Sequence, residues 1–402
     1  MQKAREQAID KPVSLLLLSQ LVGGVIAGPC HTFLPAYLSD LGTSAALISA
    51  IFTSQRVTGL ISSLVGGALS DYLSPKQTLL IGQIGLICAA LTFSSPSITI
   101  IVLLWAAYGF GTGLHTLGGQ SYLIENANHK RLGMLTALYY WGYTVGGAIG
   151  GPVAAFIIGD FRYSRYSLSF AGISVVGLLI TATLLPSLSS KTHRRRDSPG
   201  KAERPGARLF GYGHIAKKSS ARLLAALRFL PTFCYGMMTI FVPLVLRTNG
   251  ATVAVLAAYV TVSSVSAALS QFVVGRLADG ASPKWPTILC YLTFGVSALC
   301  VTLFLFTVWG VFISGVLGIS SAWSLSVLMA PLVTRSTKPA ERGRTLGFMH
   351  LFWNLGMILG SLVGGVLFET WMGLPFAVGG IAVIVCPFLV VLFFRHPPIS
   401  AD

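Results

Sequence analysis

Long apolar stretches, each near the thickness of a lipid bilayer, alternate along the chain with short polar breaks. The first, "VSLLLLSQLVGGVIAGPCHTFLPAYL" over 13–38, contains no Lys, Arg, Asp or Glu. About 20 apolar residues suffice for a helix to cross the hydrocarbon core. Twelve such runs follow one another: 13–38, 47–69, 77–95, 98–123, 133–158, 167–187, 221–247, 251–276, 285–306, 308–333, 343–368 and 373–395. The pattern predicts an all-α membrane protein with twelve transmembrane helices. Lys3, Arg5 and Lys11 precede the first run. That run is longer than a signal-peptide core and has no clear small-residue cleavage site, so it is expected to stay as the first span.

One polar break is much longer than the others. Residues 188–220 are basic and rich in Ser, Pro and Gly, with "HRRR" at 193–196, and read as a cytoplasmic linker. It divides the chain into an N-terminal six-helix bundle, 1–187, and a C-terminal one, 221–402. Composition agrees with a membrane setting: 53% of residues are hydrophobic and 10% charged, against about 25% charged in soluble domains. The net charge of +16 would suit a polyanionic partner if it were clustered on a soluble face. With both termini cytoplasmic, 23 of the 28 Lys and Arg fall on the cytoplasmic side, Arg162, Arg165 and Arg247 fall outside, and Arg56 and Arg228 fall within runs. This bias predicts an N-in, C-in orientation and no nucleic-acid partner. All six Cys lie within apolar runs, so no disulfide framework is expected.

A polar phrase occurs twice. "GALSDYLSPK" at 67–76 returns as "GRLADGASPK" at 275–284, 208 residues on. Each copy lies between the second and third runs of its half, a sign of two parallel six-span repeats. On these residues the chain resembles the major facilitator superfamily, whose phrase in this loop is G-x-L-a-D-r-x-G-r-k. Gly67, Leu69, Asp71 and Lys76 match it, as do Gly275, Leu277, Ala278, Asp279 and Lys284. Tyr72, Ser74 and Pro75 stand where the family has Arg, Gly and Arg. The resemblance implies two parallel bundles, alternating access, and one cytoplasmic latch per half. In that reading Gly67 and Gly275 let a neighbouring helix approach closely. Asp71 and Asp279 meet the helices that start near Gly343 and Gly133. Glu125 with Arg131, and Glu341 with Arg342, complete the ion-pair sets. "WGYTVGGAIGGP" (141–152) matches part of the exporter phrase G-x-x-x-G-P through Gly147, Gly151 and Pro152. In "WNLGMILGSLVGG" (353–365), Gly356, Gly360 and Gly364 form a tight-packing stripe.

Ionisable groups deep in a span are candidates for function because they are costly there. Arg56 lies mid-run, Arg228 nearer a run's cytoplasmic end, and His31, His115 and His350 in the first, fourth and eleventh runs. No Asp or Glu lies at mid-depth. The candidate substrate residues are Arg56, Gln55, Tyr108, Tyr235, Trp353, Asn354, His31 and His115. Arg56 is read either as counter-charge to an organic anion or as bonded to carbonyls and polar side chains. Arg228 is read as snorkelling to the membrane surface, and each His as a packing residue. Protons are a candidate coupling ion, through a His or Glu125.

The reading is an MFS secondary transporter of a small organic solute, slightly favoured as an exporter of drugs or metabolites. An organic-anion carrier using Arg56, and a transport-dead receptor or scaffold, are the alternatives. No nucleotide-binding loop, H-E-x-x-H or ligand-spaced His/Cys cluster is present in the sequence, so neither an enzyme nor a cofactor or metal is expected. The expected setting is a bacterial inner membrane, with the chain multi-pass and monomeric.

Overall fold

The computed structural model describes residues 11–69, 73–126, 132–159, 161–187, 213–280, 282–338 and 341–395. All regular elements among them are helical. In chain order they are α1 (Lys11–Asp40), α2 (Ala45–Leu69), α3 (Pro75–Leu91), α4 (Ile98–Asn126), α5 (Leu132–Ile158), α6 (Tyr163–Leu184), α7 (Ser219–Thr248), α8 (Val253–Gly280), α9 (Lys284–Leu303), α10 (Val308–Ser336), α11 (Arg342–Thr370), α12 (Leu374–Ile384) and α13 (Cys386–Arg395). A 3₁₀ turn, Thr92–Ser94, extends α3, and a single helical turn, Gly213–Ala216, precedes α7.

Eleven segments are long and apolar enough to cross a membrane, α12 and α13 together making the last. The remaining long helix, α2, has 25 residues and carries Gln55 and Arg56 near its centre. The arrangement is compatible with twelve spans. The last span was expected to be continuous. It breaks at Val385 because Pro387 has no N–H to give the carbonyl four residues back and its ring crowds that turn. Large apolar side chains project outward, among them Phe156 (91% exposed), Phe306 (78%) and Leu303 (77%). Such a surface is satisfied by lipid rather than water.

The chain forms two compact units, Met1–Cys30 with Ser54–Lys201, and His31–Thr53 with Ala202–Asp402. In the first unit, α5 lies on α1 through Gly142, Gly146 and Gly150. A Cβ at Gly146 would stand 2.8 Å from Val25 N, and one at Gly150 would stand 3.0 Å from the Pro29 ring. This stripe is shifted from Gly147 and Gly151, the pair singled out in the sequence. Polar side chains cross-link the same unit: Gln83 Nε2 donates to Ser19 Oγ (2.6 Å) and Thr181 Oγ1 (3.0 Å), joining α1, α3 and α6. Satisfying buried polar groups in this way fixes helix register.

The second unit has a matching seam. Gly356, Gly360 and Gly364 of α11 face Phe229, Phe233 and Met237 of α7, so the stripe expected there is present. Tyr291 Oη donates to the Leu227 carbonyl (2.6 Å), and Ser270 Oγ donates to the Ser320 carbonyl (3.1 Å). These tie α9 to α7 and α8 to α10.

Candidate functional site

In the second unit, the α7–α11 seam carries a cation on an aromatic platform. Arg228, in the third turn of α7, is 8% exposed, and its guanidinium carbon lies 4.2 Å from the Trp353 ring centroid. The snorkelling expected for Arg228 is therefore corrected: the indole offers its negative face along the side chain's path, and the cation stays buried against it. Tyr235, two turns along α7, has its ring 6.2 Å from Trp353. His350, Trp353 and Asn354 share a face of α11, since residues three and four apart are neighbours on a helix. Asn354 Nδ2 donates to the His350 carbonyl (2.9 Å), and both Trp353 and Asn354 are half-buried. The three ion pairs among the described residues do not involve Arg228.

The candidates in the first unit form a separate group. Arg56 is half-buried on α2 and acts electrostatically on Tyr108 of α4, which shares a hydrogen bond with Tyr143 of α5. Tyr108 is fully enclosed, its ring 4.9 Å from that of Trp105. Gln55 is buried beside Arg56, with its Oε1 occluded and unpartnered. His115 is buried on α4, its Nδ1 3.5 Å from Gln20 Nε2 of α1, while its Nε2 is occluded without a partner. His31 belongs to the second unit, with its ring 6.0 Å from Phe52.

The repeated polar phrase is described in part. Asp71 and Arg131 lie outside the described residues, as do the side chains of Glu125 and Asp279 and the surroundings of Gly67. Lys76 Nζ donates to the Ala182 carbonyl (2.7 Å), one of the last-turn carbonyls of α6 that lack a partner within the helix and attract a cation. Ser74 and Pro75, the departures from the family phrase, start α3. Ser74 forms a capping box with Gln77, and Pro75 takes the first helical position. In the second copy, Lys284 lies near the Trp285 ring (5.4 Å). Gly275 does not sit at a close approach, since an added Cβ would meet only Val327 Cγ1 at an ordinary 3.5 Å. Glu341 pairs with Lys218 (2.5 Å) and more loosely with His214 (3.8 Å). The Lys218 ammonium hydrogen-bonded to it holds the Glu341 carboxyl below the usual carboxylate range. Arg342 Nε is occluded without a partner among the described residues.

A further polar cluster in the second unit escaped the sequence reading. Arg247 Nε donates to Asp40 Oδ1 (2.9 Å). Glu369 Oε1 accepts from the Ala46 N–H (3.0 Å), placing a carboxylate on the free amides that open α2. Ser49 Oγ donates to the Ser361 carbonyl, and a Cβ at Gly365 would come within 2.9 Å of Ala46 Cα. Charge asymmetry had put Arg247 on the outer side, and in the same N-in topology Asp40 and Glu369 lie at the ends of helices that run to that side. Their pairing, across 207 and 323 residues, had no local signal.

Helices spanning a bilayer, exposed apolar flanks and buried cations among aromatic rings define a polytopic α-helical membrane protein. The sequence description of the Major Facilitator Superfamily matches residues 16–330 and 224–402, and the chain belongs to that family. It is 24% identical over 374 residues to a gallate transporter of Pseudomonas putida, covering 85% of this chain and 81% of that one. It is 23% identical over 380 residues to multidrug resistance protein MdtH of Aeromonas hydrophila, covering 90% of each. A crystal structure of the nucleoside transporter NupG superposes with a TM-score of 0.76 at 17% identity, covering 96% of this chain and all of that one. The protein is thus a multi-pass membrane protein of a transporter family.

Proposed function

We propose that the protein is a secondary carrier that moves a small organic anion across the membrane by alternating access. The observation that carries this reading is the burial of Arg228 within a span, on an aromatic platform, in a chain with no mid-span carboxylate. A cation at that depth is expensive, and a substrate that brings negative charge offsets the cost in each cycle. Arg56, beside Tyr108, extends the same preference to the first unit. The gallate transporter among the relatives is named for an aromatic carboxylate, which agrees with this chemistry.

The remaining assignments follow the sequence. Residues 1–187 and 221–402 act as two halves joined by the linker 188–220, with both termini cytoplasmic in an inner membrane. Gly67, Asp71, Lys76, Glu125 and Arg131, with Gly275, Asp279, Lys284, Glu341 and Arg342, serve as the cytoplasmic latches. Protons acting through His115 are a coupling route, and no enzymatic step is assigned.

A second reading is export of drug-like compounds. It is favoured by the name of the MdtH relative and by Gly147, Gly151 and Pro152. Reconstituted proteoliposomes separate the two. The anion reading expects saturable, protein-dependent counterflow of radiolabelled gallate or benzoate. Liposomes that move neither faster than protein-free controls, yet clear a lipophilic dye, would refute it in favour of drug export.

A further inference from the structure

We infer that Arg228, Trp353 and Tyr235 form a recognition subsite for a one-ring aromatic carboxylate; this rests on the anion-carrier reading and deepens it. The argument starts from how a guanidinium can be used twice. Its π-face engages an aromatic ring, while its N–H donors point outward in its own plane. Trp353 takes the face, at 4.2 Å. The in-plane edge is left for a ligand: among the described residues no hydrogen bond to the guanidinium occurs, and its nitrogens are not among the occluded unpartnered polar atoms. A carboxylate fits that edge with two parallel N–H···O bonds, the geometry arginine recognises best.

The surroundings set the size and character of the rest of the ligand. Tyr235 lies seven residues beyond Arg228 on α7, about 10 Å at 1.5 Å per residue. That span takes a carboxylate and one six-membered ring, not a fused polycycle in line. Trp353 touches both ends of it, 4.2 Å from Arg228 and 6.2 Å from the Tyr235 ring. One wall of the span is therefore aromatic. Polar groups flank that wall on the same face of α11, where His350 is exposed and Asn354 half-buried, and they can meet hydroxyl or amino substituents on the ring. Tyr291 braces the floor by donating to the Leu227 carbonyl, next to Arg228, so the cation's backbone is held in place before a ligand arrives.

The test is thermal unfolding of the detergent-purified full chain against benzoate, benzamide and cyclohexanecarboxylate. A ligand that binds the folded state raises Tm by mass action. Benzoate is expected to raise Tm saturably, cyclohexanecarboxylate to do so more weakly, and neutral benzamide to have no effect. Arg228→Met is expected to weaken benzoate about ten-fold or more, the scale of a charge-assisted bidentate contact. Trp353→Leu is expected to cost benzoate more than it costs cyclohexanecarboxylate. If Arg228→Met does not purify as a folded protein, Arg228→Lys carries the test: it keeps the charge but loses the planar fork, and is also expected to weaken benzoate. Wild type responding to benzoate while both Arg228 variants respond equally overturns the subsite and leaves the anion-carrier reading standing. Wild type that responds to none of the anions overturns both.

Discussion

Gly360→Ala adds one methyl to the seam between α11 and α7. The new Cβ would lie 2.8 Å from the Phe233 carbonyl carbon and 3.0 Å from its Cα, where ordinary contacts begin at 3.4 Å. Both obstacles are backbone, so no rotamer change can yield. The Phe233 carbonyl oxygen stands closer still, so the helices must part by about an ångström, a gap that forfeits up to about half of the dispersion energy at each contact along the seam. Overpacking of this kind costs about 1–3 kcal/mol. At about 2–4 °C per kcal/mol for a domain of 150–250 residues, Tm should fall by about 2–12 °C. The assay is intrinsic tryptophan fluorescence on heating, at one fixed scan rate because unfolding of such proteins is often irreversible. Gly172→Ala in α6 is the control. Nothing lies within 4 Å of its added Cβ, and losing a glycine from an exposed helix stabilises by about 0.5–1 kcal/mol. If the two variants melt at the same temperature, the seam is not held by backbone contact and the reasoning fails.

Ser74→Ala removes the capping box of α3 and should cost about 1 kcal/mol, read as a lower Tm, whereas Ser74→Asp should keep most of the stability. Glu369→Gln keeps an acceptor for the Ala46 N–H but removes the charge on the α2 terminus, so a loss of about 0.3–1 kcal/mol is expected, shrinking as salt is raised. Lys218→Met tests the Glu341 pair. Because the carboxyl is held below its usual range, the pair contributes above the unfolded value near 4.3 and its contribution disappears as pH falls through the lower folded value. The wild-type advantage, about 1 kcal/mol or less for a pair this open to solvent, should be present at pH 7 and absent well below pH 4. An advantage that persists there would mean that Lys218 stabilises through packing instead.

The apolar runs located the helices within a few residues because each run has to satisfy its backbone inside lipid, and the polar breaks are the only places where the chain can turn. The glycine stripe of α5 shows where such reading stops. Gly142, Gly146 and Gly150 share one four-residue spacing and Gly147 and Gly151 share another, so spacing alone offers two faces. The one that meets α1 is chosen by Leu21, Val25 and Pro29, more than 100 positions away. Arg228 posed a different difficulty. Its distance from the helix end is what a snorkelling side chain would have, and only the indole of Trp353, 125 positions on, makes burial the better outcome. Nothing in the local sequence marks the partner of Glu341, because Lys218 reaches it from the start of another helix, 123 positions away. Local patterns reveal which residues are polar, deep or small; the partners they select depend on contacts that the chain makes only once it is folded.

The two glycine seams have an evolutionary consequence. Where α5 meets α1 and α11 meets α7, the surfaces in contact are largely main chain, which is the same whatever the side chains are. Such a joint demands smallness at three positions per helix and leaves most others free to drift. A fold joined in this way can be inherited while its sequence diverges to the level seen here, 17% identity to a solved transporter with the same fold. Side chains away from the seams can then be exchanged without refitting the frame that carries them.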